Sequence, residues 1–167
     1  MEVKKIAVLG AGLMGHGITQ VAAQVGKHDV YMRDIEQRFV DSGMKMITDS
    51  LQRFVKKAQL TEEDMNQILS RIRTTLDLKA AVADADLIVE AAPENIELKR
   101  AVFHEVDTYA PSHAIIASNT SSVSITELAS ATKRPEKVCG MHFFNPPQLM
   151  KLVEVIKGAK TSDETVQ

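Results

Sequence analysis

The chain has 167 residues, 44% hydrophobic and 25% charged, which suits one globular domain and excludes a disordered tail or a collagen-like repeat. Its 20 Lys and Arg against 22 Asp and Glu leave a net charge of −2, so no basic excess exists to drive binding to nucleic acid. No run approaches the roughly 20 apolar residues of a membrane span, and the single cysteine, Cys139, can supply neither an internal disulfide nor a thiolate cluster. The expectations are no metal, no membrane association and a reducing, cytoplasmic setting.

The apolar run at 3–9 ends in Gly10 and predicts a fully buried parallel strand; it is too short for the core of a secretory signal. Ile18, Val21, Ala22 and Val25 then recur at helical spacing up to Gly26, and Val30-Tyr31-Met32 predicts a second strand closed by Arg33-Asp34. Strand, glycine turn, helix and strand fill about thirty residues, the size of one βαβ unit.

Over 37–58, Val40, Met44, Ile47, Leu51, Phe54 and Ala58 step by three or four, the pattern of a long amphipathic helix. Thr61 to Asp64 has the form of a capping box, and Met65, Ile68, Leu69 and Ile72 share one face of the helix it opens. The two make a helical hairpin larger than a crossover requires, expected to be an insertion that projects from the sheet and offers surface to a substrate.

Further strands are expected at 87–89 and 114–117, with a helix carrying Ile96, Val102, Phe103 and Val106 between them. Ser124 and Glu127 form a second capping box at a short helix. Strands at 138–144 and 152–156 follow, linked through Asn145-Pro146-Pro147, and Ser162-Asp163-Glu164 starts a helix. The alternation argues an α/β domain with a largely parallel sheet.

Gly10-Ala11-Gly12-Leu13-Met14-Gly15 falls between the first strand and the first helix. A dinucleotide fold needs a tight turn at the first glycine, close approach to a pyrophosphate at the second and helix–strand packing at the third. Asp34, 19 residues past Gly15, stands where a carboxylate accepts from a ribose 2′-hydroxyl and repels a 2′-phosphate, so NAD is favoured over NADP. Arg33 beside it weakens that preference. The fold expected is a Rossmann-type, doubly wound, mostly parallel sheet with an inserted helical hairpin, one domain over 1–167.

His142 and Glu154 lie 12 residues apart on neighbouring strands. A histidine can take a proton from an alcohol near neutral pH, and a carboxylate on its other nitrogen fixes the tautomer. On spacing alone, a strand histidine is more often a core residue. Ser118-Asn119-Thr120-Ser121-Ser122 follows a strand, where ligands sit in open α/β sheets. Ser124 reads as a helix cap; Ser121 lies too early for that and is the candidate for a ligand contact.

The glycine loop, the Ser118–Ser122 run, and His142-Phe143-Phe144-Asn145-Pro146-Pro147 with Met150-Lys151-Leu152-Val153-Glu154-Val155 together resemble the NAD-binding domain of L-3-hydroxyacyl-CoA dehydrogenases, 3-hydroxybutyryl-CoA dehydrogenases among them. The resemblance runs from Val3 to the end. It implies that His142 is the catalytic base and Glu154 its partner, that Ser121 contacts substrate and nicotinamide, and that Asn145 lies near the nicotinamide. It places Glu94 and Lys99 on the cofactor side and Ser50 and Lys57 against the CoA portion of an acyl-CoA substrate. Ser50 and Lys57 are two helical turns apart and so share a face.

Two departures stand out. Lys27-His28-Asp29 makes the turn before the second strand one residue longer, which bears on where Asp34 falls. Members of the family also continue into further strands and a helical C-terminal domain that adds an active-site asparagine, closes over the acyl chain and forms a homodimer; the 167 residues look like the first half of such an enzyme. The resemblance implies NAD-dependent oxidation of (S)-3-hydroxyacyl-CoA to 3-oxoacyl-CoA. Alternatives are a CoA-independent hydroxy-acid dehydrogenase of the same fold, or a nucleotide-binding module without turnover.

Overall fold

The computed structural model describes residues 2–167. Its strands are β1 (Lys5–Leu9), β2 (Asp29–Arg33), β3 (Ile72–Thr75), β4 (Leu87–Glu90), β5 (Ile115–Ser118), β6 (Val138–Phe143) and β7 (Val153–Lys157). Its helices are α1 (Gly15–Gln24), α2 (Gln37–Lys56), α3 (Glu62–Ser70), α4 (Leu78–Val82), α5 (Ile96–Tyr109), α6 (Ile125–Ala129) and α7 (Asp163–Val166), with a 3-10 turn at Pro135–Lys137. One sheet runs β3-β2-β1-β4-β5-β6-β7, parallel except for the antiparallel β6–β7 pair.

Successive strand residues point to opposite faces, and the buried residues divide accordingly. Ile6, Val8, Val30, Met32 and Val89 pack against Ile18 of α1, Ile47 and Leu51 of α2 and Ile68 of α3. Ala7, Leu9, Ile88 and Ile116 pack on the other face against α4, Phe103 and Val106 of α5, and Leu128 of α6. Near-continuous apolar strands are what a sheet covered on both faces demands.

Four expectations are corrected. Ile72 does not continue the second helix: it begins β3 and pairs with Val30. The α2–α3 hairpin is therefore the β2–β3 crossover itself rather than an insertion, and its Ile47, Leu51 and Ile68 lie in the core. The first helix of the pair ends at Lys56, because Ala58 turns to φ +55, out of the helical region. At about 30 Å, α2 still outruns the five-residue strands it crosses, at about 17 Å. The capping box at Thr61 is complete, with Asp64 returning its side chain to the Thr61 N–H. That at Ser124 is half formed: Ser124 caps α6, but Glu127 turns to Arg100 instead. No helix among the described residues is long and apolar enough to cross a membrane.

Candidate active site

Strand order reverses between β1 and β4, and there the carboxyl ends of the strands leave a crevice. A cavity of about 830 Å³ fills it, lined by the glycine loop, Asp34, residues 91–94, Lys99, Asn119, Ser121 and 142–145.

Each glycine meets a different local demand. Gly10 takes φ +114, and a Cβ there would lie 2.6 Å from the Ala91 carbonyl oxygen. A Cβ on Gly15 would lie 1.8 Å from the Gly10 carbonyl oxygen. Gly12 has nothing within 4 Å, so its backbone is open to a ligand. The His16 ring, 2.8 Å from the Gly12 carbonyl oxygen, braces the loop from below.

Asp34 ends the β2 side of the crevice. One carboxylate oxygen accepts from the Ala11 N–H at 2.7 Å and the other from the Ile35 N–H at 2.7 Å, so the acid is docked on the loop. The longer turn does not displace it: Lys27 adopts φ +56 there and β2 keeps its register with β1. Arg33 also lines the cavity, with Nε donating to the Leu76 carbonyl at 3.1 Å. An open Gly12, a carboxylate just past the end of β2 and a helix start without a side-chain cap on Met14 or an acid in its first turn suit the pyrophosphate and ribose of a dinucleotide.

Behind the cavity wall lies a buried charge cluster. Glu90, 0% exposed, accepts from Lys99 Nζ at 2.8 Å, the Ala92 N–H at 2.6 Å and the Ser118 hydroxyl at 2.6 Å. Lys99, 1% exposed, also donates to the Ala92 carbonyl at 3.0 Å and lies 3.3 Å from Glu94. Burial works against the Glu94 anion, but the Thr120 and Ser122 hydroxyls and the Lys99 ammonium outweigh it and hold its pKa at about 2. The Ser121 N–H donates to the same carboxylate at 3.2 Å. Lys99 is thus a strut of the wall as well as a lining residue.

His142 lies on β6 opposite Glu154 on β7, its Nδ1 2.8 Å from Oε2. With Nδ1 engaged, Nε2 is the nitrogen left for chemistry. His142, Ser121 and Asn145 all line the cavity; Glu154 stands behind the ring. Phe144 tilts against the imidazole with ring centres 4.8 Å apart.

Ser50 and Lys57 are not brought to the cavity. Ser50 is buried in α2, whereas Lys57 is exposed just past the last helical residue, its N–H still donating to the Arg53 carbonyl at 3.2 Å. Sequence reasoning assigned no role to Glu90, His16 or Asn119. The signal for Glu90 was a carboxylate closing an otherwise apolar strand, which demands a buried partner. Among the described residues, no group of three or more His, Cys, Asp or Glu could hold a metal ion.

Comparison with known proteins identifies the family. The profile described as "3-hydroxyacyl-CoA dehydrogenase, NAD binding domain" matches residues 5–167. The chain is 45% identical over 165 residues to the probable 3-hydroxybutyryl-CoA dehydrogenase of Bacillus subtilis, covering 99% of this chain and 57% of that one. It is 50% identical over 165 residues to the fatty acid oxidation complex subunit alpha of Idiomarina loihiensis, covering 99% of this chain and 23% of that one. The crystal structure of (S)-3-hydroxybutyryl-CoA dehydrogenase from Ralstonia eutropha superposes with a TM-score of 0.94 at 43% identity, over 98% of this chain and 57% of that one. The chain therefore spans between about a quarter and three-fifths of these relatives.

Proposed function

The chain belongs to the 3-hydroxyacyl-CoA dehydrogenase family, as its NAD-binding domain, and from that premise we propose that the protein oxidises (S)-3-hydroxyacyl-CoA thioesters to 3-oxoacyl-CoA. The observation that carries this reading is that the His142–Glu154 pair opens into the cavity that also holds Gly12 and Asp34, so a proton acceptor and a dinucleotide cradle share one space.

NAD, when bound, supplies the acceptor for the hydride that leaves C3 of the substrate. His142 takes the hydroxyl proton at Nε2, and Glu154, accepting from Nδ1–H, stabilises the imidazolium that forms. Ser121, whose hydroxyl has no protein partner among the described residues, donates to the substrate oxygen. Asp34 holds the adenosine ribose, and Asn145 lies beside the nicotinamide. Lys99 and Glu94 set the wall on the cofactor side. Lys57 belongs to the CoA portion, where an exposed ammonium suits a phosphate. The lone cysteine accords with a cytoplasmic setting, and the greater length of the relatives accords with a further, helical domain that makes the enzyme a homodimer.

The test is the loss of NADH absorbance on adding acetoacetyl-CoA to the purified protein, with acetoacetate as the comparison. Oxidation with the thioester alone is the expected result. Equal oxidation with the free acid would replace the reading with a CoA-independent one. NADH binding without its oxidation by either compound would reduce the reading to a nucleotide-binding module.

A further inference from the structure

His142 sits on an overhang. The β5–β6 ladder pairs Ile116 with Val138, Ala117 with Cys139 and Ser118 with Gly140, and stops there. Met141, His142 and Phe143 carry β6 three residues past the last of these partners. On the β7 side the overhang is held by the register that sets His142 opposite Glu154. On the β5 side the pairing with β6 ends at Ser118, and the next N–H, that of Asn119, donates to the Glu90 carbonyl of β4 at 2.8 Å.

The gap is closed by one side chain. The Asn119 amide oxygen accepts from the Phe143 N–H at 2.9 Å. A backbone N–H can only donate, so this end of the amide must be the oxygen. Without it, the Phe143 N–H beside a largely buried ring would lose its partner, and β6 would be tied past Gly140 from one side alone.

We propose that Asn119 is a positioning residue for His142: its side chain replaces the missing strand and fixes the direction in which the end of β6 presents the imidazole to the cavity. The proposal rests on the reading of His142 as the base. Asn119 acts through Phe143, one residue from the ring, and its loss is felt as misalignment of proton transfer, to which the reaction is steeply sensitive.

The experiment compares Asn119→Ala with Asn119→Asp, since the aspartate keeps an oxygen for the Phe143 N–H. In the alanine variant, hydrogen exchange at the Phe143 amide should accelerate by about tenfold or more, and kcat should fall by about tenfold to a hundredfold. The KM for acetoacetyl-CoA and the affinity for NADH should change by less than about threefold, which a general loss of structure would not spare. In the aspartate variant the Phe143 amide should stay protected, and kcat should exceed that of the alanine variant.

An alanine variant that exchanges fast at Phe143 yet keeps wild-type kcat overturns the proposal, as does an aspartate variant that protects Phe143 without any gain in kcat. If the alanine variant does not fold, the aspartate variant decides by whether its Phe143 amide is as protected as in the wild type. Absence of wild-type turnover would sink the functional reading instead, while the exchange data would still report whether the clamp exists.

Discussion

His142 and Glu154 are direct partners in the antiparallel register of β6 and β7, with Nδ1 of one 2.8 Å from Oε2 of the other. The backbone ladder sets the two residues opposite each other, and their side chains close the contact. The contact is present in the structure without substrate.

Removing the imidazole should cost more than removing its partner. His142→Ala is expected to lower kcat by about 10²- to 10⁴-fold with little change in NADH affinity. Glu154→Gln, which keeps an acceptor but not the charge, should lower it by about tenfold to a hundredfold. Steady-state rates with acetoacetyl-CoA check both; an unchanged rate for His142→Ala would remove this residue from the mechanism.

The glycines of the loop should separate folding from binding. Gly15→Ala drives a methyl into the Gly10 carbonyl, and about 3 kcal/mol or more of stability should go with it, seen as a lower urea midpoint. Gly12→Ala meets no protein atom and should fold as the wild type does, while NADH affinity falls by about tenfold or more in a fluorescence titration.

Lys99→Met strands the fully buried Glu90 carboxylate. The expected loss is about 3–5 kcal/mol in urea unfolding. Adding Glu90→Gln to that variant removes the uncompensated charge and should restore part of the stability. A double variant no more stable than Lys99→Met would show that the charge was not the cause.

Acid should act through Glu94. Its pKa is held at about 2 against an ordinary 4.5, so the folded state prefers the anion. The stability this confers is fully present above pH 4.5 and is lost as the pH falls towards 2. Urea midpoints measured from pH 6 downwards should drop more steeply for the wild type than for Glu94→Gln, which has no proton to take up there.

Much of this was legible in the residues. The glycine loop and Asp34 occupy short segments in which spacing and backbone geometry are tightly linked, whereas the His142–Glu154 pair was legible through the family resemblance, since spacing alone favours a core histidine. β3 was not legible, because Ile72 stands three residues after Leu69 and four after Ile68, and a four-residue strand has too few alternations to outweigh a helical step. Missing it turned a crossover into an insertion. Glu90 and Lys99 meet across a strand end and a helix, a contact that local pattern does not encode. The Asn119–Phe143 bond escaped for the same reason: it exists only because β6 outlasts β5.

The antiparallel β6–β7 pair has a consequence for how the site comes together. His142 and Glu154 are 12 residues apart in the chain, so their meeting closes a small loop at modest cost in chain entropy. The proposed cofactor cradle draws on Gly12, Asp34, Glu94 and Asn145, and rests on a β1–β4 ladder that joins Val8 to Val89 across about half of the chain. Such distant pairings are the slow ones to form. The proton-transfer pair can thus be assembled by a local hairpin while the place for its cofactor waits on the whole sheet. The order in which the two halves of the site mature is written into their separations along the chain.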